Sequence, residues 1–419
     1  MGSELSMSAR AEITARYARA YRGASKVDKG LMLDEVVAVT GWSRANARRR
    51  LAAAAVPRAV RPRKRDRARR YSYDATKVLQ RVWATSGGLC GKYLVVAMPA
   101  LLDGLERHGE LVEGRGRYSA GVRGELLSMS AATVDRYLAP AKATDPLRGK
   151  TTTKASPLLR TSITVRKATD EVEAEPGFFE GDTVAHCGPT LKGEFARTVD
   201  FTDVHTGWVF CRSVPNGAHR HVLGVLDQLV AAVPFEVVGL DFDNGSEFIN
   251  HDVVGWAADR KVFFTRSRPY KKNDQATVES KNNHLVRRYA FYWRYDTPEA
   301  LVLLNALWPL VCDRLNFLTP TKKPVGWATD AAGRRKRVYD TPRTPFDRLC
   351  DAGVLSPAQT AELTAYRDGL NPADLARRIQ TLQDRLTALA REATLNLQAA
   401  TAPKPLPDTA RSVRLRKAS

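Results

Sequence analysis

The sequence has few cysteines, no long apolar run and a shortage of acidic residues. Five cysteines are scattered over 419 residues without a C-x-x-C pair, which argues against a zinc ribbon or disulfide framework and favours a reducing cytoplasm. The longest apolar stretch, residues 89–102, is interrupted by Lys92 and Pro99 and is shorter than the roughly 20 residues that cross a bilayer. The first thirty residues lack the apolar centre of an export signal. No membrane partner is expected.

The shortage of acidic residues leaves a large positive charge. There are 66 Lys and Arg residues against 45 Asp and Glu, for a formal charge of +21, and 43% of the residues are hydrophobic. The length and apolar content allow two to four packed domains. Residues 1–70 hold 18 basic and 6 acidic residues, more than half of the net charge. The sequence therefore predicts contact with a polyanion at this end of the chain.

Residues 1–60 have the pattern of a helix-turn-helix domain. An apolar helical pattern at residues 33–38 is followed by a turn at 40–42, and Ser43 can cap a second helix that runs to Leu51. In that geometry the second helix enters the DNA major groove. Its candidate DNA contacts are Arg44, Asn46, Arg48 and Arg49. The alternative is a basic two-helix hairpin that binds nothing specifically.

A basic arm and a second helical region follow. Residues 61–73 are too charged to join a core, and Arg63, Lys64 and Arg65 could lie along phosphates or in a minor groove; a solvated linker is the alternative. Residues 74–141 contain a second helix-turn-helix pattern, with a helix at 122–127 and another at 130–138. Its candidate DNA contacts are Thr133 and Arg136. Residues 142–172, rich in Lys, Thr and Pro, are interpreted as a linker.

The middle of the chain, residues 173–298, alternates strand and helix patterns. Strands are predicted at 178–184, 195–203, 208–214, 237–242 and 262–266, and helices at 222–232, 251–260 and from 274 onward. The order β-β-β-α-β-α-β-α is that of an α/β ribonuclease-H-like core. The first and fourth of these strands are expected to be neighbours in the sheet.

Three carboxylates stand out within this region. Asp182 lies in the first strand, Asp243 follows the fourth strand, and Glu279 lies in the last helix, with 60 and 35 residues between them. Asp241 competes for the second position, because it lies two residues earlier on the same strand face. Three converging carboxylates require a countercharge, which a divalent cation such as Mg²⁺ supplies through oxygen ligands. Two such ions would activate the attacking oxygen and stabilise the leaving oxygen of a phosphodiester.

The sequences around these carboxylates, residues 180–183, 243–248 and 276–283, resemble the catalytic core of insertion-sequence transposases and retroviral-type integrases, the DDE family. Residues 335–346 resemble the segment that follows the core in bacterial members. The resemblance implies that Asp182, Asp243 and Glu279 hold two Mg²⁺ ions, with Mn²⁺ as a substitute. It also implies cutting of element ends and joining of their 3′-hydroxyls to target DNA.

The resemblance has two departures. No His/Cys set near the N-terminus matches the zinc module of retroviral integrases, and Asn283 stands where those proteins have a lysine. Asn282 and Asn283 share the predicted face of Glu279 and could orient it or contact DNA, or merely solvate that face. The further candidate DNA contacts are Lys281 and Arg287. Five of the histidines, at positions 186, 205, 219, 221 and 251, are interpreted as hairpin or surface residues.

The C-terminal third gives weaker signals. Residues 299–350 are interpreted as a core-flanking helix and a small β-rich DNA-contacting module, although an exposed loop also fits. Residues 351–401 are predicted to form helices, with a short coiled-coil seam that could join protomers or pack on its own core. The seam consists of Leu375, Ile379, Leu382, Leu386, Leu389 and Ala393. Residues 402–419 are expected to form a basic disordered tail.

These patterns together predict a multidomain protein with α-helical helix-turn-helix N-terminal domains, an α/β ribonuclease-H-like catalytic core, a small β-rich segment and C-terminal helices. Its expected function is that of a cytoplasmic, nucleoid-associated transposase. It would bind terminal inverted repeats in double-stranded DNA and act there as at least a homodimer; an accessory ATPase is neither indicated nor excluded. A non-catalytic DNA-binding regulator and a nuclease without joining activity are the alternatives.

Overall fold

The computed structural model describes residues 6–55, 70–143, 165–166, 175–242, 248, 250–267, 282–329, 333 and 335–401. It divides into two compact units, Met1–Arg70 and Tyr71–Ser419.

Within residues 6–55, the described part of the first unit, there are three helices, α1 (Met7–Gly23), α2 (Lys26–Thr40) and α3 (Arg44–Ala55). Gly41 ends α2 at φ 71°, where its N–H donates to the carbonyl of Val37, and the Ser43 hydroxyl accepts the N–H of Asn46 at the start of α3. The sequence therefore located the turn between the last two helices. A small core holds the helices together: Tyr21, Leu33, Val36, Ala47 and Leu51.

The second unit begins with four helices around a core of their own. These are α4 (Tyr73–Thr85), α5 (Gly91–Arg107), α6 (Ala120–Leu127) and α7 (Ala131–Ala143). Leu79 of α4, Leu102 of α5 and Val134 of α7 are fully buried between these helices. A two-helix arrangement with a short turn does occur at α6 and α7.

A six-stranded sheet forms the centre of the second unit, in the order β1-β6-β5-β2-β3-β4. Its strands are β1 (Val165–Arg166), β2 (Phe178–Ala185), β3 (Arg197–Asp203), β4 (Val209–Val214), β5 (Gly239–Phe242) and β6 (Phe263–Ser267). Strands β2, β3 and β4 are antiparallel, whereas β2, β5, β6 and β1 run parallel. The predicted neighbours, the first and fourth strands of the core, are adjacent as β2 and β5.

The edge strand β1 lies within residues 142–172, which the sequence predicts to be a linker. Val165 and Arg166 pair there in parallel with Arg266 and Ser267 of β6. A two-residue strand carries no detectable alternation, and residues 144–164 and 167–174 lie outside the described residues, so the linker stays a prediction. The helix α7 also extends two residues beyond the predicted domain boundary at 141.

The two faces of the sheet are covered by different helices. Helices α8 (His219–Ala232) and α9 (His251–Asp259) pack against Phe179, Phe201 and Phe242 on one face. The opposite face meets α10 (Pro298–Asp313) and the π-helical segment Asn282–Arg287, which continues into the single turn Arg288–Ala290. Polar residues of the sheet lie on this second face.

Helix α10 and the π-helical segment Arg314–Leu318 protect the edge strand β4. The side-chain amide of Asn305 accepts the backbone N–H of Ser213 and donates to its carbonyl, and Asn316 does the same with Val209. By length and hydropathy alone, Pro298–Leu318 could cross a membrane. Half of its most apolar window is buried in the protein, as expected of a core helix.

The C-terminal elements begin with a two-stranded antiparallel hairpin, β7 (Pro324–Thr329) and β8 (Arg335–Tyr339), so this part of the predicted β-rich module is a hairpin. Helices α11 (Pro345–Ala352), α12 (Pro357–Gly369) and α13 (Pro372–Thr401) follow. The buried guanidinium of Arg348 in α11 donates to Asp340 at the base of the hairpin and to the carbonyl of Thr206 in the turn between β3 and β4. The hairpin is thereby attached to the sheet.

Helix α13 decides between the two readings of the predicted leucine seam. Leu375, Ile379 and Leu386 are buried in the same core as α10, and Leu382 and Leu389 are half-buried against it. Ala393, the last residue of the predicted seam, is exposed. The seam therefore packs on the chain's own core.

Candidate active site

The candidate site lies on the polar face of strand β2. Side chains alternate between the two faces of a strand, so Glu180 and Asp182 share one face while Phe179 and Gly181 share the other. Asp182 is the antiparallel partner of Asp200, and Glu180 is the partner of both Thr202 on β3 and Asp241 on β5. Acidic and hydroxyl side chains therefore form a continuous patch across three strands.

The carboxylate of Asp182 is half-buried and held by two neutral donors. Its Oδ1 accepts the backbone N–H of Thr183 at 2.7 Å, and its Oδ2 accepts the side-chain amide of Asn282 at 2.5 Å. Asn282 is the first residue of the π-helical segment Asn282–Arg287, whose Leu285 and Val286 are fully buried. Burial of these two residues fixes the segment, and thus Asn282, against β2.

The sequence predicts that Asn282 orients Glu279, contacts DNA or solvates that face of the helix. In the structure its side-chain amide binds Asp182, 100 residues away, from the first position of a π-helical segment. Glu279 lies outside the described residues, so the three alternatives stay predictions. Asn283 belongs to the same segment.

The other two predicted metal ligands, Asp243 and Glu279, lie outside the described residues, as does Lys281. Asp243 follows Phe242, the last residue of β5, whose parallel partner is Gly181. Glu279 precedes Asn282 by three positions in the sequence. Among the residues that the structure describes, no group of three His, Cys, Asp or Glu side chains could hold a metal ion.

Asp241, the predicted competitor of Asp243, is fully buried. Its Oδ1 accepts the hydroxyl of Thr265 on the neighbouring strand β6 at 2.6 Å. This position is within the sheet, beside Glu180, and not at the end of a strand.

Asp200 was not identified from the sequence. It is fully buried on β3, directly opposite Asp182. Residues directly opposite in an antiparallel pair have Cβ atoms about 5 Å apart, so the two carboxyl groups are close neighbours. The alternation of Val199, Asp200 and Phe201 was the available signal, because a strand residue between two buried apolar neighbours faces the opposite side of the sheet.

His186 corrects another interpretation. It was placed with hairpin or surface histidines, yet it is fully buried at the end of β2. Its Nε2 lies 2.7 Å from the hydroxyl of Thr198, which lies 2.7 Å from the hydroxyl of Ser213. Burial lowers the pKa of His186 to about 3, with a smaller contribution from the positive charge of Arg287. His186 is therefore a neutral core residue.

The chain is similar to known proteins in its core and along most of its length. The family model described as "Integrase core domain" matches residues 173–272. The chain is 37% identical, over 83% of its length and 97% of the relative's, to an uncharacterized protein, y4rM, of Sinorhizobium fredii (strain NBRC 101917 / NGR234). The chain belongs to the integrase core domain family. The matched core contains Asp182 and Asp243 and ends before Glu279.

A solved structure is also similar to this chain. It is the catalytic core domain of BIV integrase, which is 17% identical, with 45% of this chain and 98% of that chain covered and a TM-score of 0.28.

The predicted DNA contacts of the first unit differ in their surroundings. Arg48 and Arg49 are exposed on α3, and Asn46 is half-buried. Arg44 is bound by the carboxylate of Asp34 and donates to the carbonyl of Gly30, so part of its charge is neutralised within the protein. Arg63, Lys64 and Arg65 lie outside the described residues.

Two of the predicted DNA contacts of the second unit, Arg136 and Arg287, differ in their exposure. On α7, Arg136 is exposed and donates to the hydroxyl of Thr133 at 3.2 Å. Arg287 is half-buried, with its guanidinium 5.0 Å from the centre of the Tyr292 ring, and burial lowers its pKa. The DNA-contact roles of these residues stay predictions.

Proposed function

We propose that this integrase-core protein is a transposase of an insertion sequence. It binds the inverted repeats at the ends of a mobile element, cuts each end to free a 3′-hydroxyl, and joins that hydroxyl to target DNA. The observation that carries the proposal is Asp182 on the central strand β2, bound by Asn282 and lying beside the end of β5 that leads to Asp243. Gly181, which precedes Asp182, and Phe242, which precedes Asp243, are parallel partners on the adjacent strands β2 and β5.

Asp182, Asp243 and Glu279 would hold divalent metal ions. The donors fit such ions, because carboxylate oxygens are the hard ligands that Mg²⁺ and Mn²⁺ prefer, and Asp182 is accessible enough to meet a phosphate. When bound, the metal ions supply positive charge against the phosphodiester and favour deprotonation of the attacking oxygen.

The chain's own residues position the site for this chemistry. Asn282 holds Oδ2 of Asp182, and the backbone of Thr183 holds Oδ1, so the carboxylate cannot rotate freely. In the proposed reaction a water oxygen, and later the freed 3′-hydroxyl, attacks phosphorus. The bond from phosphorus to the leaving 3′-oxygen breaks, and the proton of the attacking group passes to solvent. A preset carboxylate lowers the reorganisation that the reaction requires.

We infer that the active form is at least a dimer on DNA, because two element ends must be processed together. We infer that the protein is located in the cytoplasm, at the nucleoid, because its proposed substrate is DNA and its formal charge is +21.

The decisive experiment is strand joining by the purified full chain with Mg²⁺ and labelled DNA that carries the element's inverted repeats. We expect nicked and joined products from the wild type. Asp182→Asn should abolish both, and Asn282→Ala should lower the rate about 10- to 100-fold without changing DNA affinity, because only the orientation of Asp182 is lost. Rescue by Asn282→Gln would separate this positioning role from a packing role.

Asp252→Asn is the matched control, since Asp252 is a surface carboxylate that pairs with His219 at 2.9 Å. Full activity in Asp182→Asn would refute the site. Cut but unjoined products would indicate a nuclease, and tight binding without any product would indicate a DNA-binding regulator.

A further inference from the structure

A basic groove lies on the helical domain α4 to α7, and its lining includes no residue that the sequence motifs identified. The outward face of α4 carries Tyr73, Lys77 and Arg81 at helical spacing, and residues 112–118 cross over it. The groove between them has a volume of about 520 Å³. Its lining residues are Lys77, Gln80, Arg81, Ala84, Gly116 and Arg117.

The groove is a fixed surface. The opposite face of α4 is anchored in the core by Val78, Leu79 and Val82, all fully buried. The crossing segment is closed by a hydrogen bond from the N–H of Gly114 to the carbonyl of Tyr118, whose buried ring anchors it. The cations of the groove therefore stand on a rigid scaffold.

The groove combines positive charge with an exposed aromatic ring. Tyr73 is 56% exposed, and its ring centre lies 5.4 Å from Nζ of Lys77 and 5.1 Å from the guanidinium of Arg117. Arg81 donates to the carbonyl of Glu110, which is a neutral acceptor. Two carboxylates act on these cations: Asp74 pairs with Arg117 at 2.8 Å, and Glu110, which Arg377 binds at 2.7 Å, interacts electrostatically with Arg81. The lining includes three cations and no acidic residue, and Arg377 balances the charge of Glu110, so the groove keeps a net positive charge, as phosphate recognition requires.

Helix α7, the predicted recognition helix of the same domain, is poorer in available charge. It has two cations along its whole length, and Lys142 is paired with Asp135 at 2.5 Å. That leaves Arg136, which also binds Thr133. A surface with a single cation is a weak electrostatic partner for a DNA backbone.

We propose that the α4 groove binds the sugar-phosphate backbone of double-stranded DNA, and that Lys77, Arg81 and Arg117 are the contact residues. The proposal rests on the proposed function, because it takes duplex DNA as the substrate, and it adds a binding surface separate from the helix-turn-helix faces. Phosphate contacts position a protein on DNA without reading sequence, so this surface orients the chain along the duplex.

The test measures binding of the full chain to a fluorescein-labelled duplex of mixed sequence over a range of KCl concentrations. Each phosphate contact contributes about 0.9 to the slope of log K against log salt. The triple variant Lys77→Ala/Arg81→Ala/Arg117→Ala should lower that slope by up to about 2.7. The glutamine triple variant should give the same result while preserving side-chain length, and circular dichroism melting verifies that both variants fold.

The matched control removes three exposed cations of α13, in the variant Arg378→Ala/Arg385→Ala/Arg391→Ala. It loses the same charge and should keep the wild-type slope. Folded groove variants that retain the slope and affinity of this control would overturn the proposal.

The same assay separates this proposal from the proposed function. Asp182→Asn should keep the wild-type salt slope and lose the products. The groove variant should still form products at low salt and saturating protein. A groove variant that loses its products while retaining the wild-type salt slope would overturn the backbone-contact role and leave the transposase assignment in place.

Discussion

Gly181 shows how the absence of one side chain shapes the candidate site. A Cβ atom there would lie 2.6 Å from a ring carbon of Phe242 and 2.9 Å from one of Phe201. Because glycine leaves this space open, the two aromatic rings close directly beneath the strand that carries Asp182. The sequence Glu180-Gly181-Asp182 thus alternates polar groups on one face with close packing on the other.

His186 predicts a dependence of stability on pH. Its pKa in the folded protein is about 3, against about 6.5 for an unfolded histidine. Below about pH 6.5 the histidine binds a proton in the unfolded chain but not in the folded chain. The free energy of unfolding therefore falls as the pH falls, by up to about 1.4 kcal/mol for each pH unit. This contribution is absent above pH 6.5.

His186→Gln should therefore reduce the acid sensitivity of the core. The amide can still reach the hydroxyl of Thr198 but does not titrate. Urea unfolding at about pH 6.5 and 5.5 should show the wild type losing roughly 1 kcal/mol more than the variant. His251→Gln, at an exposed histidine, is the control and should behave as the wild type. Equal losses in His186→Gln and the wild type would contradict the buried, neutral assignment.

At the scale of elements, two amphipathic surfaces close the sheet. Asn305 and Asn316 of the α10 region bind the outer backbone of β4, which removes an exposed edge without adding a strand. Helix α13 covers the adjoining core with one face and leaves residues such as Leu395 exposed. A short leucine seam is marginal as an isolated coiled coil, and packing against α10 supplies the stabilisation it lacks alone.

Leu386→Ala on α13 should destabilise the second unit by about 2 to 5 kcal/mol, because Leu386 is fully buried and its loss leaves a cavity. Leu395→Ala on the same helix, where the residue is 46% exposed, should change the free energy of unfolding by less than about 0.5 kcal/mol. Chemical denaturation followed by tryptophan fluorescence measures both. Similar effects in the two variants, or a concentration-dependent loss in Leu386→Ala, would favour an intermolecular coiled coil instead.

At the scale of the whole molecule, the chain forms two compact units that differ in net charge. Residues 1–70 form one unit and hold more than half of the net charge, while the sheet and its flanking helices belong to the other. The proposed electrostatic binding of DNA is therefore expected mainly from the first unit, with a smaller share from the α4 groove of the second unit, which also holds the candidate chemistry.

A chain restricted to residues 71–419 should remain folded, because its core clusters contain no residue from the first unit. It retains a formal charge of +9 and should bind duplex DNA with a smaller salt slope than the full chain. Thermal unfolding and salt-dependent anisotropy test the two expectations. An unfolded fragment, or one with the full salt slope, would contradict this division of roles.

Local sequence patterns predict most of the helices and strands and single out the acidic motif. Periodicity placed β2 to β6 and the helices between them within a few residues, and Ser43 and Gly41 marked helix ends, because these signals act over one or two turns of chain. The same patterns place Asp182 in the first predicted strand of the core, Asp243 after the fourth and Glu279 in the last predicted helix.

Contacts between side chains that are distant in the sequence depend on how the whole chain folds. The contact of Asn282 with Asp182, the place of Asp200 opposite Asp182, and the burial of His186 each join segments that are distant in the chain or depend on what covers the sheet. The packing of α13 against the core of its own chain also depends on the folded structure. Local patterns cannot specify such contacts, since they form only when the whole chain has folded back and excluded water from one particular face.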